Sequence, residues 1–177
     1  RNVNNLSDDA TVQQSKISDG ETVTYRVSLS QFGEQPYTVT GKDIYDALPK
    51  SLKGSPWSKA NVKIEFPTQN SVKVEQGSLK SWSITNTNPV DQKADDTQQY
   101  IVWGEDLKLS VTGDVHWYVT LSFPAGDQWQ EYVGAYSSET LYNTWYVKDA
   151  KSQVSHYLEG GLQATLQKGV SSTGSYG

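Results

Sequence analysis

The amino-acid sequence predicts an all-β domain, a β-sandwich of about nine strands, on three observations. The first is composition. The chain has 6 Trp and 11 Tyr against 3 Phe, no Met and no Cys, with Thr, Ser, Gln and Asn abundant and Leu and Ala sparse. Rings with polar tips and hydroxyl side chains suit half-buried sheet faces, and the balance is that of an extracellular-type β domain. The second is period-two alternation of apolar and polar residues in 22–30, 115–123 and 141–147. The third is the recurrence of turn-forming clusters at short spacing between such runs. A β-barrel satisfies the same signals and stays open as an alternative. No helical period of useful length is apparent; 149–158 is the only stretch that offers one.

Taken in order, residues 1–9 are polar and read as a linker. Asn5-Leu6-Ser7 has the form of a glycosylation acceptor, a pattern too short to carry weight. Residues 10–16 read as a first strand, closed by the turn Ser18-Asp19-Gly20. In 22–30, Val23, Tyr25, Val27 and Leu29 share one side. Phe32 to Pro36 turns the chain. In 37–46, Gly41 reads as a bulge that resets the alternation, after which Ile44, Asp46 and Leu48 share a side. Pro49 ends the pairing, because it has no N–H to give. Residues 62–66, 72–74, 79–84, 100–103 and 107–111 are shorter strands, and 86–96 is a polar surface loop. Val115, Trp117, Val119, Leu121 and Phe123 lie on one side of a strong strand, with His116 and Tyr118 on the other. Residues 129–136 read as strand or loop. In Leu141–Val147, Leu141, Asn143, Trp145 and Val147 share the side expected to be buried, and Tyr142, Thr144 and Tyr146 the other. An inward amide must find a partner, since leaving it unpaired costs about 1–3 kcal/mol.

The chain is 177 residues long, enough for one large domain, or a domain plus a fragment, that buries about 70% of its unfolded surface without a disulfide or metal. The absence of Cys does not choose between compartments. A net charge of −5 gives no electrostatic reason to expect nucleic acid. No apolar run is long enough to span a bilayer. The chain begins with Arg, so it reads as a processed or excised piece, with any signal peptide or anchor expected outside it. Residues 164–174 can be laid on residues 10–20, Val12 falling on Leu166. Either the tail 162–177 opens a following repeat, or two Thr/Ser/Gly-rich strands are alike by chance. The domain is expected to occupy 10–161.

Three segments in this order resemble repeat domains of Gram-positive bacterial cell-surface adhesins and pilins. Gly20-Glu-Thr-Val-Thr-Tyr-Arg-Val is similar to their Gly-Asp-Thr-Val-Thr-Tyr strand. Ile44-Tyr-Asp-Ala-Leu-Pro-Lys-Ser-Leu resembles their Val-Thr-Asp-Thr-Leu-Pro-x-Gly-Leu, and Leu141-Tyr-Asn-Thr-Trp-Tyr-Val their Asn-Thr-Ala-x-Val closing strand. The resemblance covers about residues 10–148 and implies an immunoglobulin-like sandwich. In many such relatives a first-strand Lys forms an amide with the closing-strand Asn, assisted by a buried carboxyl group. A desolvated neutral amine is nucleophilic, and a protonated acid polarises the amide. The resemblance places Asn143 as acceptor and Asp46 as assisting acid. The relatives' Lys would fall near Ala10, and no Lys precedes Lys16. Lys16 shares side parity with Val12 and serves only if the strand is shifted. The alternative is that Asn143 and Asp46 are hydrogen-bonded partners with no covalent bond.

Other chemistry is poorly represented. Of the two His, His116 projects away from its strand's core side and His156 sits in a polar tail. No nucleophile elbow, phosphate loop or zinc spacing occurs, so the chain is not expected to be an enzyme or to hold a cofactor or metal. The acidic turns at Asp8-Asp9, Asp19 and Asp95-Asp96 lack an ordered calcium loop. Tyr118, Tyr142 and Tyr146 face away from Trp117 and Trp145 and are candidates for an aromatic strip that stacks on sugar rings. Cross-strand pairing, or contact with a neighbouring domain, is the plainer use of such rings. The expected function is a non-enzymatic stalk or adhesive module on the cell wall of a Gram-positive bacterium. Its partners would be neighbouring domains of the same protein. The alternative is a module that binds a host glycan or protein.

Overall fold

The computed structural model describes residues 14–30 and 36–160. The predicted linker, the start of the predicted first strand, the Asn5 triplet and the tail with its repeat lie outside them.

The described residues form twelve strands and one α-helix: β1 (Gln14–Ile17), β2 (Thr22–Leu29), β3 (Tyr37–Thr40), β4 (Ile44–Ala47), β5 (Val62–Glu65), β6 (Val72–Gln76), β7 (Trp82–Thr85), β8 (Tyr100–Trp103), β9 (Lys108–Val111), β10 (Val115–Ser122), α1 (Gly126–Tyr136), β11 (Leu141–Val147) and β12 (Ala150–Leu158). The chain is mostly β, as its alternation requires, with more strands than the nine expected. Gly41 is one reason. It opens a 3-10 turn, Gly41–Asp43, that divides the predicted 37–46 strand into β3 and β4, which belong to different sheets. A Cβ at Gly41 would lie 1.7 Å from the carbonyl oxygen of Gly104, so only glycine lets the chain cross there. The reset of alternation is therefore a change of sheet rather than a bulge.

One sheet has six strands in the order β1-β12-β11-β4-β8-β7, and two three-stranded sheets run β2-β10-β5 and β3-β9-β6. Their inner faces share one core. Trp117 on β10 meets Trp145 on β11 edge to face at 5.4 Å, and Phe66, just past β5, meets Trp103 on β8 at 6.2 Å. This is consistent with a sandwich. Among the described residues the six-stranded sheet keeps two edges, β1 and β7, and does not close into a barrel.

Two segments differ from expectation. Residues 129–136 lie in α1, not in a strand or loop. Trp129, Tyr132, Val133 and Tyr136 are its buried residues, spaced three, four and seven apart as one helical face requires. The hydroxyls of Tyr132 and Tyr136 donate to the carbonyls of Lys50 and Ser51 at 2.6 and 2.5 Å, tying the helix to the chain that follows β4. Residues 150–158, where a helix was the candidate, form β12. It pairs antiparallel with β11 and parallel with β1. The strand at 141–147 is thus followed by another and does not close the domain.

Candidate functional site: a buried polar centre and an outer tyrosine cleft

Strand β4 begins immediately after the 3-10 turn, with Ile44 and Asp46 inward. It pairs with β11 in the register Asp46 opposite Trp145 and Ala47 opposite Thr144. That register sets Asp46 diagonally beside Asn143 on the inner face. Both are buried, Asp46 at 0% exposure and Asn143 at 2%. With its nitrogen turned toward the carboxyl group, the Asn143 amide donates to Oδ2 of Asp46 at 2.7 Å and to Oδ1 at 3.1 Å. Burial pushes the Asp46 carboxyl well above the usual carboxylate range.

A second pair belongs to the same buried interior. His156 on β12 is fully buried. Its Nε2 lies 2.5 Å from the Tyr25 hydroxyl on β2, and its Nδ1 lies 2.7 Å from Oγ of Ser15 on β1. Both hydroxyls can donate or accept, so either neutral tautomer is served. Burial lowers the imidazole to about 4, and the ring is neutral near pH 7. Burial, and after it the charge of Asp46, raises the Tyr25 phenol well above its ordinary value. The six-stranded sheet and the β2-β10-β5 sheet thus meet through a polar contact inside an apolar shell, His156 of β12 against Tyr25 of β2.

The structure does not bring Lys16 to this centre. On β1 the inward residues are Ser15 and Ile17, so Lys16 takes the opposite face. Its side chain is 47% exposed and its ammonium lies 3.1 Å from Glu159. Glu159 raises the Lys16 amine, which therefore stays charged and is not a nucleophile. An amide between Lys16 and Asn143 does not fit this placement. His156, read from sequence as part of a polar tail, is instead a core residue. Val154, His156 and Leu158 are alternate buried residues of one strand, and that alternation was the available signal.

The aromatic candidates also separate. Tyr118 lies on β10, with Arg26 and Glu65 as its cross-strand neighbours, and turns an edge to His116 at 5.8 Å. Tyr142 and Tyr146 lie on β11, in the other sheet. They do not form one strip with Tyr118. Tyr146 meets a tyrosine that the sequence reading did not single out, Tyr45, which in turn meets a second, Tyr100. Tyr146 stacks on Tyr45 at 4.6 Å with ring planes 17° apart, and Tyr45 meets Tyr100 at 6.4 Å. With Tyr142 these rings line an open cleft of about 460 Å³ on the outer face of the six-stranded sheet. Among the described residues no three His, Cys, Asp or Glu side chains gather as a metal site would need, and no helix is long and apolar enough to cross a membrane.

Compared with known proteins, the chain matches no family model and no curated protein.

Proposed function

We propose that this chain is a non-enzymatic, load-bearing module of a bacterial cell-surface protein, spacing or presenting other domains outside the cell. The reading takes its biological setting from the resemblance of the 20–27, 44–52 and 141–147 segments to Gram-positive adhesin and pilin repeats. One observation of the structure carries its mechanical part. The first and last described strands, β1 and β12, lie side by side and parallel, Gln14 opposite Ser155 through Ile17 opposite Leu158. In parallel neighbours the start of one strand and the end of the other lie at opposite ends of the pair. A pull on the two ends of the domain therefore shears all their hydrogen bonds together. A pull across the pair would break them one at a time. The buried contacts of His156 with Ser15 and Tyr25 pin the same two strands to the opposite sheet.

Single-molecule pulling tests this. The chain has no Cys, so Asp149→Cys at the start of β12 gives a unique handle. Pulling between the two chain ends loads β1 against β12 in shear. Pulling between the N-terminal end and position 149 peels them apart. The expected result is an unfolding force several-fold higher in shear. Equal forces in the two geometries would remove the mechanical reading.

A further inference from the structure

We propose that the outer cleft of the six-stranded sheet is a binding site for a neutral oligosaccharide, with Tyr142 and Tyr146, four residues and so about 13 Å apart along β11, as two separate aromatic contacts for successive sugar residues. The proposal is independent of the load-bearing role, which would stand if the cleft bound nothing.

The outer face of a sheet is ordinarily flat and polar. Here three neighbouring strands, β11, β4 and β8, present Tyr146, Tyr45 and Tyr100 toward one another, and the 86–98 loop rises beside them as a wall. The wall is built around Asn88. Its Oδ1 accepts from the amide of Val90 at 2.8 Å, its own amide donates to the carbonyl of Lys93 at 2.8 Å, and its carbonyl accepts from the amide of Gln92 at 2.9 Å. Its Nδ2 donates to the Tyr100 hydroxyl at 3.1 Å, which ties the wall to the floor. On the other flank Thr144 donates to Oε1 of Gln153 at 3.2 Å. A site held this way is formed before its ligand arrives, so little ordering cost falls on binding. Its volume of about 460 Å³ is within the usual range of small-ligand sites, roughly 300–1,000 Å³.

The chemistry of the lining selects the ligand class. Ring faces carry negative charge density and attract the polarised C–H groups on one face of a pyranose. Around them stand the phenol hydroxyls of Tyr45, Tyr142 and Tyr146, Oε1 of Gln98, Nε2 of Gln153 and the carboxylate of Asp91, while Asn88, the Tyr100 hydroxyl and Nε2 of Gln98 are already paired within the protein. That is a supply of donors and acceptors for sugar hydroxyls. An aliphatic or proline-rich ligand would leave these groups desolvated and unpaired. Asp91 is the only charged side chain in the lining. Lys151 stands opposite Tyr146 on β12 but is not part of the lining, so within the cleft an anionic sugar meets Asp91 and gains no ion pair. Tyr142 stands at the rim with 47% of its surface exposed, available to a ligand without any rearrangement.

The test is an NMR titration of the whole chain with neutral gluco-, manno- and galacto-oligosaccharides, with a sialylated oligosaccharide and a proline-rich peptide as counter-probes. We expect at least one neutral oligosaccharide to shift amide resonances at 45–47, 88–100 and 142–146. Tyr146→Ala and Tyr142→Ala should each weaken that binding, by about tenfold for the half-buried Tyr146 and severalfold for Tyr142 at the rim. Tyr118→Ala, on the other sheet, should leave it unchanged. The sialylated probe should bind more weakly than its neutral counterpart. Tyr142 is exposed enough that its variant should fold, which an unchanged spectrum outside the cleft verifies. The proposal is overturned if no neutral oligosaccharide shifts these resonances at millimolar concentration. It is equally overturned if Tyr142→Ala leaves binding intact, or if the peptide rather than any sugar occupies the cleft.

Discussion

Strand β11 carries different chemistry on its two faces. Inward, Asn143 sits between Leu141 and Trp145 and is committed to Asp46 on the next strand. Outward, Tyr142 and Tyr146 belong to an open cleft with Tyr45 and Tyr100. One face holds polar groups that water cannot reach, so losing a partner there costs stability. The other carries the half-exposed Tyr142, whose loss leaves folding nearly untouched and alters only what the surface can bind. A period of two along one strand is enough to separate holding from touching.

That contrast can be broken or sharpened, beginning where the effect should be largest. His156→Ala removes a fully buried ring and strands the buried hydroxyl of Tyr25. We expect a loss of about 4 kcal/mol from the cavity and the unpaired hydroxyl together, measured by urea unfolding. Next comes pH. His156 is near its ordinary 6.5 when unfolded and about 4 when folded, so the unfolded chain binds the extra proton between those values. Its contribution is complete above 6.5 and is lost as pH falls toward 4, about 3 kcal/mol in all. Asp46 acts in the opposite sense: its raised folded value makes its contribution present at low pH and lost as pH rises. Unfolding from pH 7 to 4, compared with the same series for His156→Gln, isolates the histidine slope; parallel curves would show that His156 is not buried neutral. Asn143→Ala should cost about 2 kcal/mol by leaving Asp46 without its donor. On the outer face, Tyr142→Ser should change stability by no more than about 0.5 kcal/mol. Finally, the intact mass should equal that of the uncross-linked chain, because Lys16 is engaged with Glu159 at the surface. A deficit of one ammonia would reveal a Lys–Asn amide and contradict this placement.

The inner face was legible in the sequence. Alternation in Leu141–Val147 and after Gly41 sends Asn143 and Asp46 inward, because a strand beside a core must alternate. The outer cleft was legible only in part. Tyr142 and Tyr146 are read from the same alternation, but Tyr45, Tyr100 and the Asn88 wall reach them through the order β11-β4-β8, which is not chain order. Tyr118 was grouped with them because it, too, faces outward; alternation names a face and cannot say which sheet that face belongs to. Helix α1 was hidden because its apolar positions are interrupted by Gln, Glu and Gly over a length of 11 residues, too short for the period to stand out. His156 was missed because 151–153 is polar and conceals the alternation that begins at Val154.

The buried contact between β4 and β11 is most directly tested by a double-mutant cycle on Asp46→Leu and Asn143→Leu. If the two side chains are partners in the core, each single change strands the other group, while the double change replaces both with apolar volume. The double variant should then be more stable than the sum of the singles by at least ~1 kcal/mol. Costs that simply add, to within about 0.5 kcal/mol, would mean that Asp46 and Asn143 do not meet.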